Sequence, residues 1–489
     1  MKKILFLITA VLLIGCSSND IKKEREEILS DKEKVTANIL KPDKVLTLDE
    51  AIKIGVDRNL DLKTKEIERE IAKYDKRIAF GNFLPKLSVT YSRTLFNEQL
   101  RAKALDTGLE DIPKQIAKNP ALARNPYIAG MAGMFPTSLE ARLLDKDFAM
   151  FGVNAQLPIF VPSTWFLYSA KSKGENISVL TRDLTEKMIK LQTIGKYYHV
   201  LALESENDFL KREVEATEQL KHNADLGLKT GSILPWENKR VEVFNEVKKH
   251  ALKENERDLQ LAKISLLNTL DLYPFADIKL QMPKFDEKED ITLDAAIYEA
   301  LENSDMLKIR EEGQKISKDV KKIAITNFLP KIMITGGYVN TNAEALVNQN
   351  FFMGTIGGIF SIFNGFQNVN EYKIAREKEK IAYIKKEQEM VKIIYETVNA
   401  YNQMGSAKEE KNIADHNFEA MEGMINQKKL ERETGTIDDW EYIQTLADFE
   451  KALSLKEKAD LKYRMACATL DMLMGKSIFT KGDNGNEKK

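Results

Sequence analysis

The pentapeptide NFLPK occurs twice, at 82–86 and 327–331, and sits in two matching halves of the chain. Residues 47–90 align with 292–335 at a constant offset of 245, without a gap, and 19 of those 44 positions are identical. TLDEAI in the first copy meets TLDAAI in the second. Further on, TGSILPWE (230–237) matches TGTIDDWE (434–441) at an offset of 204, so the first half is longer by 245 − 204 = 41 residues. This is an internal duplication, not a short-period solenoid. Whatever one half builds, the other builds again.

Each half reads in the same order. A helical segment comes first, at about 47–82 and about 292–327. Pro85 and Pro330 mark the change from helix to strand, because each pushes the preceding leucine away from the helical region. Beyond Pro85, Leu87, Val89, Tyr91 and Leu95 alternate with Ser88, Thr90, Ser92 and Thr94, the period of a half-buried strand. The return strand places Phe151, Val153, Ala155, Leu157 and Ile159 on one face. In the second half Phe352, Ile356, Phe360 and Ile362 share a face, with Gly354 and Gly358 between. The 41 extra residues fall in the first hairpin loop, within about 97–149, and read as a surface loop, with a partial plug as the other reading.

Long helices follow the strands. From 371 to about 430 apolar residues recur in seven-residue steps: Ile374 and Ile381; Ile384, Val391 and Val398; Ile394 and Tyr401. Sixty residues at ~1.5 Å each reach roughly 90 Å, so such a helix needs neighbours along its length. Gly231 and Gly435 punctuate these helices at the position of a left-handed cap.

Four strands of about ten residues suit a tilted bilayer crossing, with apolar residues outward and small or polar ones inward. Four strands cannot close a barrel, and open edges cannot face lipid. Several copies must pool their strands, and three copies give twelve.

The balance of 74 basic and 75 acidic residues argues against a nucleic-acid partner. No catalytic constellation stands out. His199, His222, His250 and His416 lack metal-like spacing, and GTIGGIF (354–360) lacks the Lys-Ser/Thr of a phosphate loop. No enzyme activity, cofactor or metal is expected. At the N-terminus, Lys2 and Lys3 precede a largely apolar run from Ile4 to Ile14, too short to span a bilayer but suited to a signal peptide. Its LIGC ending resembles the bacterial lipobox, which makes Cys16 the lipidation site; an ordinary signal peptide with a chance cysteine is the other reading. Ser17, rather than aspartate, implies sorting to the outer membrane. Cys467 reads as a small core residue.

The order, duplication and spacing of TLDEAI…NFLPK, TLDAAI…NFLPK, the paired alternating strands and the paired TGSILPWE and TGTIDDWE turns resemble the TolC family of outer-membrane efflux proteins, over about 45–475. The resemblance implies a mixed α and β membrane protein. Its protomer is a duplicated helix–β-hairpin–long-helix unit, assembled as a homotrimer with a 12-stranded β-barrel continuing into a periplasmic α-helical barrel. It implies a passive exit duct of a tripartite efflux or type I secretion system, working with a periplasmic adaptor and an inner-membrane pump. The turns after the long helices become the periplasmic tip, where residues meet the adaptor or gate the pore: Gly231, Trp236 and Glu237 in the first half, Gly435, Asp438, Asp439, Trp440 and Glu441 in the second. Where the family often has a further acid, this chain has Arg240 and Gln444, which puts a double acidic ring in doubt. The same residues also fit plain helix capping, with Asp438 as N-cap and Glu441 as its N3 partner, and Pro235 at the first helical position. The two tryptophans fit adaptor anchors or packing between helices equally well.

The chain therefore divides into a lipoprotein signal peptide (1–15), a lipid-anchored linker (16–45), a first repeat (46–270), an inter-repeat linker (271–290), a second repeat (291–475) and a polar tail (476–489). The segments 19–45 and 476–489 are expected to be poorly ordered. The competing reading is a non-channel coiled-coil envelope lipoprotein that tethers envelope components, which has no use for four membrane-length strands.

Overall fold

The computed structural model of the chain describes residues 18–41, 44–106, 114, 118–119, 138–283, 291–343, 346–437 and 439–476. Cys16, Asp438 and most of the first hairpin loop lie outside them. The two halves build matching elements. In the first half the order is α1 (Ser18–Ile39), β1 (Val45–Leu46), α2 (Leu48–Arg58), α3 (Leu60–Gly81), β2 (Lys86–Leu95), β3 (Leu100–Asp106), β4 (Ser138–Leu144), β5 (Asp147–Phe160), α4 (Pro162–Thr230) and α5 (Pro235–Thr269). After β6 (Lys279–Leu280), the second half repeats the helix, hairpin and long-helix pattern with α6 (Leu293–Asn303), α7 (Asp305–Thr326), β7 (Lys331–Thr341), β8 (Asn350–Ile359), α8 (Gln367–Glu433) and α9 (Asp439–Leu473).

The opening helical segment is not continuous, as its periodicity suggested, but broken at Asn59 and at the aligned Ser304. The reason is side-chain capping. Asn59 Oδ1 accepts from the Asp61 and Leu62 amides while its Nδ2 donates to the Thr269 carbonyl, 3.2 Å away. Ser304 Oγ accepts from the Leu307 amide. The TLDEAI start is a reciprocal cap: Thr47 Oγ1 accepts from the Glu50 amide, and Glu50 Oε2 accepts from the Thr47 amide. In TLDAAI, where Ala295 replaces the glutamate, the Thr292 hydroxyl caps alone.

NFLPK tightens each helix end into three successive i→i+3 bonds. The amides of Asn82, Phe83 and Leu84 donate to Ala79, Phe80 and Gly81, and those of Asn327, Phe328 and Leu329 to Ala324, Ile325 and Thr326. Proline follows, with no amide to continue the ladder, and the strands begin at Lys86 and Lys331. β2, β5, β7 and β8 form one antiparallel sheet in that order, so β2 and β8 each pair on one side only among the described residues. β7 crosses β5 on a glycine pair, and a Cβ at Gly337 would lie 2.4 Å from the Val153 carbonyl oxygen. One face of the sheet carries Leu87, Val89, Tyr91, Tyr338, Phe352 and Ile356; Leu87, Phe352 and Ile356 are 76–84 % exposed. The other carries Ser88, Thr90, Asn154, Gln156 and Thr335.

Three segments differ from the sequence expectation. The first hairpin loop carries a second hairpin, β3 paired with β4. β8 ends at Ile359, so Phe360 and Ile362 lie beyond it. Residues 19–45, expected to be poorly ordered, include α1, whose buried Thr36 hydroxyl accepts from the Tyr273 amide while Lys32 pairs with Asp271 at 2.5 Å. The linker 271–290 contributes β6, which pairs in parallel with β1.

Contacts divide the chain into two units that cut across the repeats. One holds residues up to Ala72, Gly174–Gln314 and from Ile381 onward; the other holds Lys73–Lys173 and Lys315–Lys380. The first unit has its main core around Leu46, Ile52, Ile194, Tyr197, Leu266 and Leu270. The Tyr197 hydroxyl lies 2.7 Å from both the Leu46 and Gln281 carbonyl oxygens and accepts from the Gln281 amide, holding β1 beside β6. Cys467 is buried against a smaller second-repeat cluster with Ala407 and Tyr463. The second unit holds the four-stranded sheet and the helix ends flanking it. There Lys173 pairs with the buried Asp319, and Lys171 pairs with Asp75 at 2.6 Å.

Tyr197→Phe leaves buried carbonyls short of a donor and should cost about 1–3 kcal/mol, read as a lower unfolding midpoint by circular dichroism. Burial pushes both Tyr197 and Tyr198 up to about 12 from an ordinary value near 10. Each phenol is neutral in the folded state, so its contribution is complete below about pH 10 and is lost as pH rises through about 12. An alkaline titration of ellipticity should show weakening in that window, and a shallower one in Tyr197→Phe.

Candidate functional site: the helix-hairpin turns

The long helices end in two turns of the same design. Gly231 and Gly435 both adopt φ 73°, a left-handed conformation that a Cβ disfavours. Around Gly231, the Ser232 amide donates to the Gly227 carbonyl and the Gly231 amide to Leu228; around Gly435, the Thr436 amide donates to Glu431 and the Gly435 amide to Arg432. These are the paired bonds of a Schellman C-cap. The flanking hydroxyls repeat as well. Thr230 Oγ1 donates to the Leu226 or Gly227 carbonyl and lies 3.0 Å from Ser232 Oγ, while Thr434 Oγ1 reaches Leu430 or Glu431 and lies 2.9 Å from Thr436 Oγ1.

The next helix starts differently in the two copies. Pro235 opens α5 after Leu234, whose side chain cannot cap, and Glu237 Oε2 accepts from the Leu234 amide at 2.8 Å. Glu237 thus caps the start of α5. In the second turn the proposed N-cap, Asp438, lies outside the described residues, and Asp439 begins α9. Glu441 Oε1 receives Lys428 Nζ from across the turn at 2.6 Å, and Lys428 also pairs with Glu431. Donating to the Glu441 and Glu431 carboxylates holds the Lys428 ammonium above its ordinary value. Position 224, which aligns with Lys428, is a buried alanine, so this cross-turn pair belongs to the second copy. Lys428 was not singled out from the sequence, because its partner lies thirteen residues on and only the turn brings the two together.

Trp236 is 55 % exposed and lines a groove of about 880 Å³ with Leu220, Arg240, Val243, Phe244 and Val247. Trp440 is half-buried, and the Arg432 guanidinium stacks over Tyr442 at 4.7 Å. The two turns thus place aromatic and charged groups beside capped helix ends. Pro85 and Pro330 take no part in the tips and sit at the starts of β2 and β7.

Only part of the apolar heptad row of α8 is left bare by the chain: Val398 is half-buried and Tyr401 packs against the cluster of Ala296, Ala400 and Leu470. Ile374, Ile381, Ile384 and Val391 are all at least half exposed, whereas Ala375, Ile393, Thr397, Ala400 and Ala407 form the buried stripe. Among the described residues, no group of three or more His, Cys, Asp or Glu side chains is placed to hold a metal ion, and no helix is long and apolar enough to cross a membrane.

Residues 296–476 match the family model for outer membrane efflux protein. No curated protein matches the chain. Among solved structures, the Campylobacter jejuni CmeC outer membrane channel has 15 % identity and a TM-score of 0.68, covering 88 % of this chain and 85 % of that one. The Neisseria gonorrhoeae MtrE outer membrane channel in its open state has 14 % identity and a TM-score of 0.64, covering 88 % and 89 %. The outer membrane protein VceC of Vibrio cholerae has 11 % identity and a TM-score of 0.64, covering 88 % and 97 %. At these identities the likeness is one of fold.

Gly435→Ala should cost about 1–2 kcal/mol of local stability because alanine resists the left-handed conformation, visible as faster amide exchange over the turn. Glu441→Gln leaves that turn intact and returns the Lys428 ammonium toward its ordinary value, measurable by NMR of the labelled lysine.

Proposed function

We propose that this chain, a member of the outer membrane efflux protein family, works as the lipid-anchored, trimeric exit duct of a tripartite efflux or type I secretion system. The family is one of outer-membrane channels, not enzymes. The observation that carries the trimer is the sheet. It has four antiparallel strands with β2 and β8 open at its edges, and one apolar face turned outward. In a bilayer both edges need partners, and β8 of one copy beside β2 of the next satisfies both. Three copies then close twelve strands. The exposed heptad positions Ile374, Ile381, Ile384 and Val391 of α8 support the same assembly, since they repeat at coiled-coil spacing yet are at least half exposed in the single chain.

In this reading the polar sheet face lines the pore, and substrate passes through without chemistry. The capped turns at Gly231 and Gly435 form the periplasmic end, where Trp236 and Trp440 meet the adaptor and Glu237 and Glu441 stand near the aperture. Lys428 neutralises Glu441, which argues for a modest cation preference at the tip rather than a tight acidic site. The acyl chains on Cys16 supply a second membrane attachment, and an inner-membrane pump selects the cargo.

Light scattering of the purified mature protein, corrected for bound detergent, should give three times the chain mass, and planar bilayers should show discrete conductance steps. A stable monomer would overturn the duct. Cys16→Ala should accumulate uncleaved, unacylated precursor on mass spectrometry; normal acylation of that variant would remove the anchor from the scheme.

A further inference from the structure

The lysine that closes each NFLPK copy falls on the polar face of the sheet. Lys86 opens β2 and stands opposite Gln156, which stands opposite Thr335, which in turn stands opposite Thr355. Residues opposite one another across paired strands share a face, so Lys86 belongs with those three side chains. Lys331 opens β7 and alternates onto the same face as Met333 and Thr335. On that face Gln156 Nε2 donates to Met333 Sδ at 2.9 Å. Positions 86 and 331 are aligned in the duplication, which puts the two lysines at matching levels. Lys331 precedes Thr335, the β7 residue in the Lys86 row, by four positions, the kind of stagger that tilted strands need to close a barrel.

No other charged residue occupies this face of β2, β5, β7 or β8. The remaining charges within the four strands, Arg93 and Asp147, lie on the opposite face and pair with each other at 2.5 Å. Among the described residues neither lysine meets a carboxylate, and Lys86 Nζ donates only to Asn82 Oδ1, at 3.4 Å. Acids of the flanking helix ends are committed elsewhere. Asp75 pairs with Lys171, Asp319 pairs with Lys173, and Glu371 accepts from the Asn327 and Gln367 side-chain amides. The neighbouring strands supply no acid beyond Asp147, since no Asp, Glu, Lys, Arg or His occurs from 148 to 170 or from 345 to 370. A lysine that merely reached for lipid headgroups would share the apolar face with Leu87 and Val89, and these two do not.

We infer that Lys86 and Lys331 form a ring of six cations inside the end of the barrel nearest the helices, and that this ring favours anionic cargo. The inference rests on the trimeric duct reading, in which the polar sheet face lines the pore. Like charges in a channel with low-dielectric walls focus the field and concentrate counter-ions, and no acid on the same face cancels them. Beyond the ring the face offers only neutral groups such as Thr90, Asn154 and Met353. A solute bearing carboxylate or phosphate is therefore drawn to the ring and held by nothing stronger further on, as conduction requires.

The test measures reversal potentials of the purified mature protein in planar bilayers under a gradient of about 0.01 to 0.1 M KCl, where charges act over roughly 30 to 10 Å. Combining Lys86→Gln with Lys331→Gln should lower the chloride-to-potassium permeability ratio about three-fold or more, and each single substitution should lower it by less. Both variants leave the Gly231 and Gly435 turns and their acids untouched, so the shift reports the barrel alone. Combining Lys86→Arg with Lys331→Arg should keep the wild-type ratio, and Arg93→Gln, on the opposite face, should not move it. An unchanged ratio in a conducting trimer that carries both glutamines would overturn the ring while leaving the duct standing. If the double variant fails to assemble, the single substitutions decide, and an unchanged ratio in both would overturn the ring. A wild-type protein that does not conduct would overturn the ring together with the duct reading.

Discussion

A peptide group in hydrocarbon has no water to bond, and leaving one unpaired costs several kcal/mol. The rest of this structure depends on that constraint. Its four strands pair with one another in the order β2-β5-β7-β8 and, among the described residues, leave two rows of backbone groups unanswered at the outer edges. An apolar face of Leu87, Val89, Tyr91, Phe352 and Ile356 beside those edges makes water an equally poor solvent for the sheet. In the proposed trimer the chain is completed edge to edge in the sheet and along the exposed heptad positions of α8.

The junctions between helix and strand follow from the same requirement. A helix end leaves carbonyls and amides unpaired, which is tolerable in water and costly near lipid. NFLPK meets this by closing the last turn with short-range bonds, then inserting a proline that has no amide to satisfy. At the far ends of the long helices the solution is different. Glycines in the left-handed conformation complete paired caps, and threonine and serine hydroxyls saturate the remaining carbonyls.

The two copies have diverged where one of them gained a partner the other lacks. Glu50 completes a reciprocal cap that Ala295 cannot, and Lys428 pairs with Glu441 where the first copy has Ala224; Asn59 alone both caps its helix and reaches the Thr269 carbonyl, whereas the second copy divides these tasks between Ser304 and Asn303, which donates to the Met474 carbonyl. Core volume is also uneven. The first repeat gathers Tyr197 and a set of leucines around β1 and β6, while the second relies on alanines, Leu470 and Met474. Duplicated backbones thus carry different chemistry, and the asymmetry extends to the turns after β5 and β8, where one set of rings is packed and the other is bare.

The alternating strands, the prolines that end the helices and the glycines that cap them were legible because each is a local signal, set by residues within a few positions of one another, and the duplication was legible because those signals recur in the same order at a fixed offset. The break at Asn59 was not, since the apolar period runs through it and its bond to Thr269 spans 210 residues. Helix α1 looked like solvated linker, because only a distant amide, that of Tyr273, explains why Thr36 is buried. The α8 heptads were read correctly as a repeat, but periodicity states that a face seeks cover without saying whose. By itself the sequence determined the period, the turns and the points where helix gives way to strand, all properties of short stretches of chain. Only the tertiary structure decided which polar groups meet across the fold, which apolar rows stay bare, and that Lys428 holds Glu441, because those depend on positions in space that no local rule encodes.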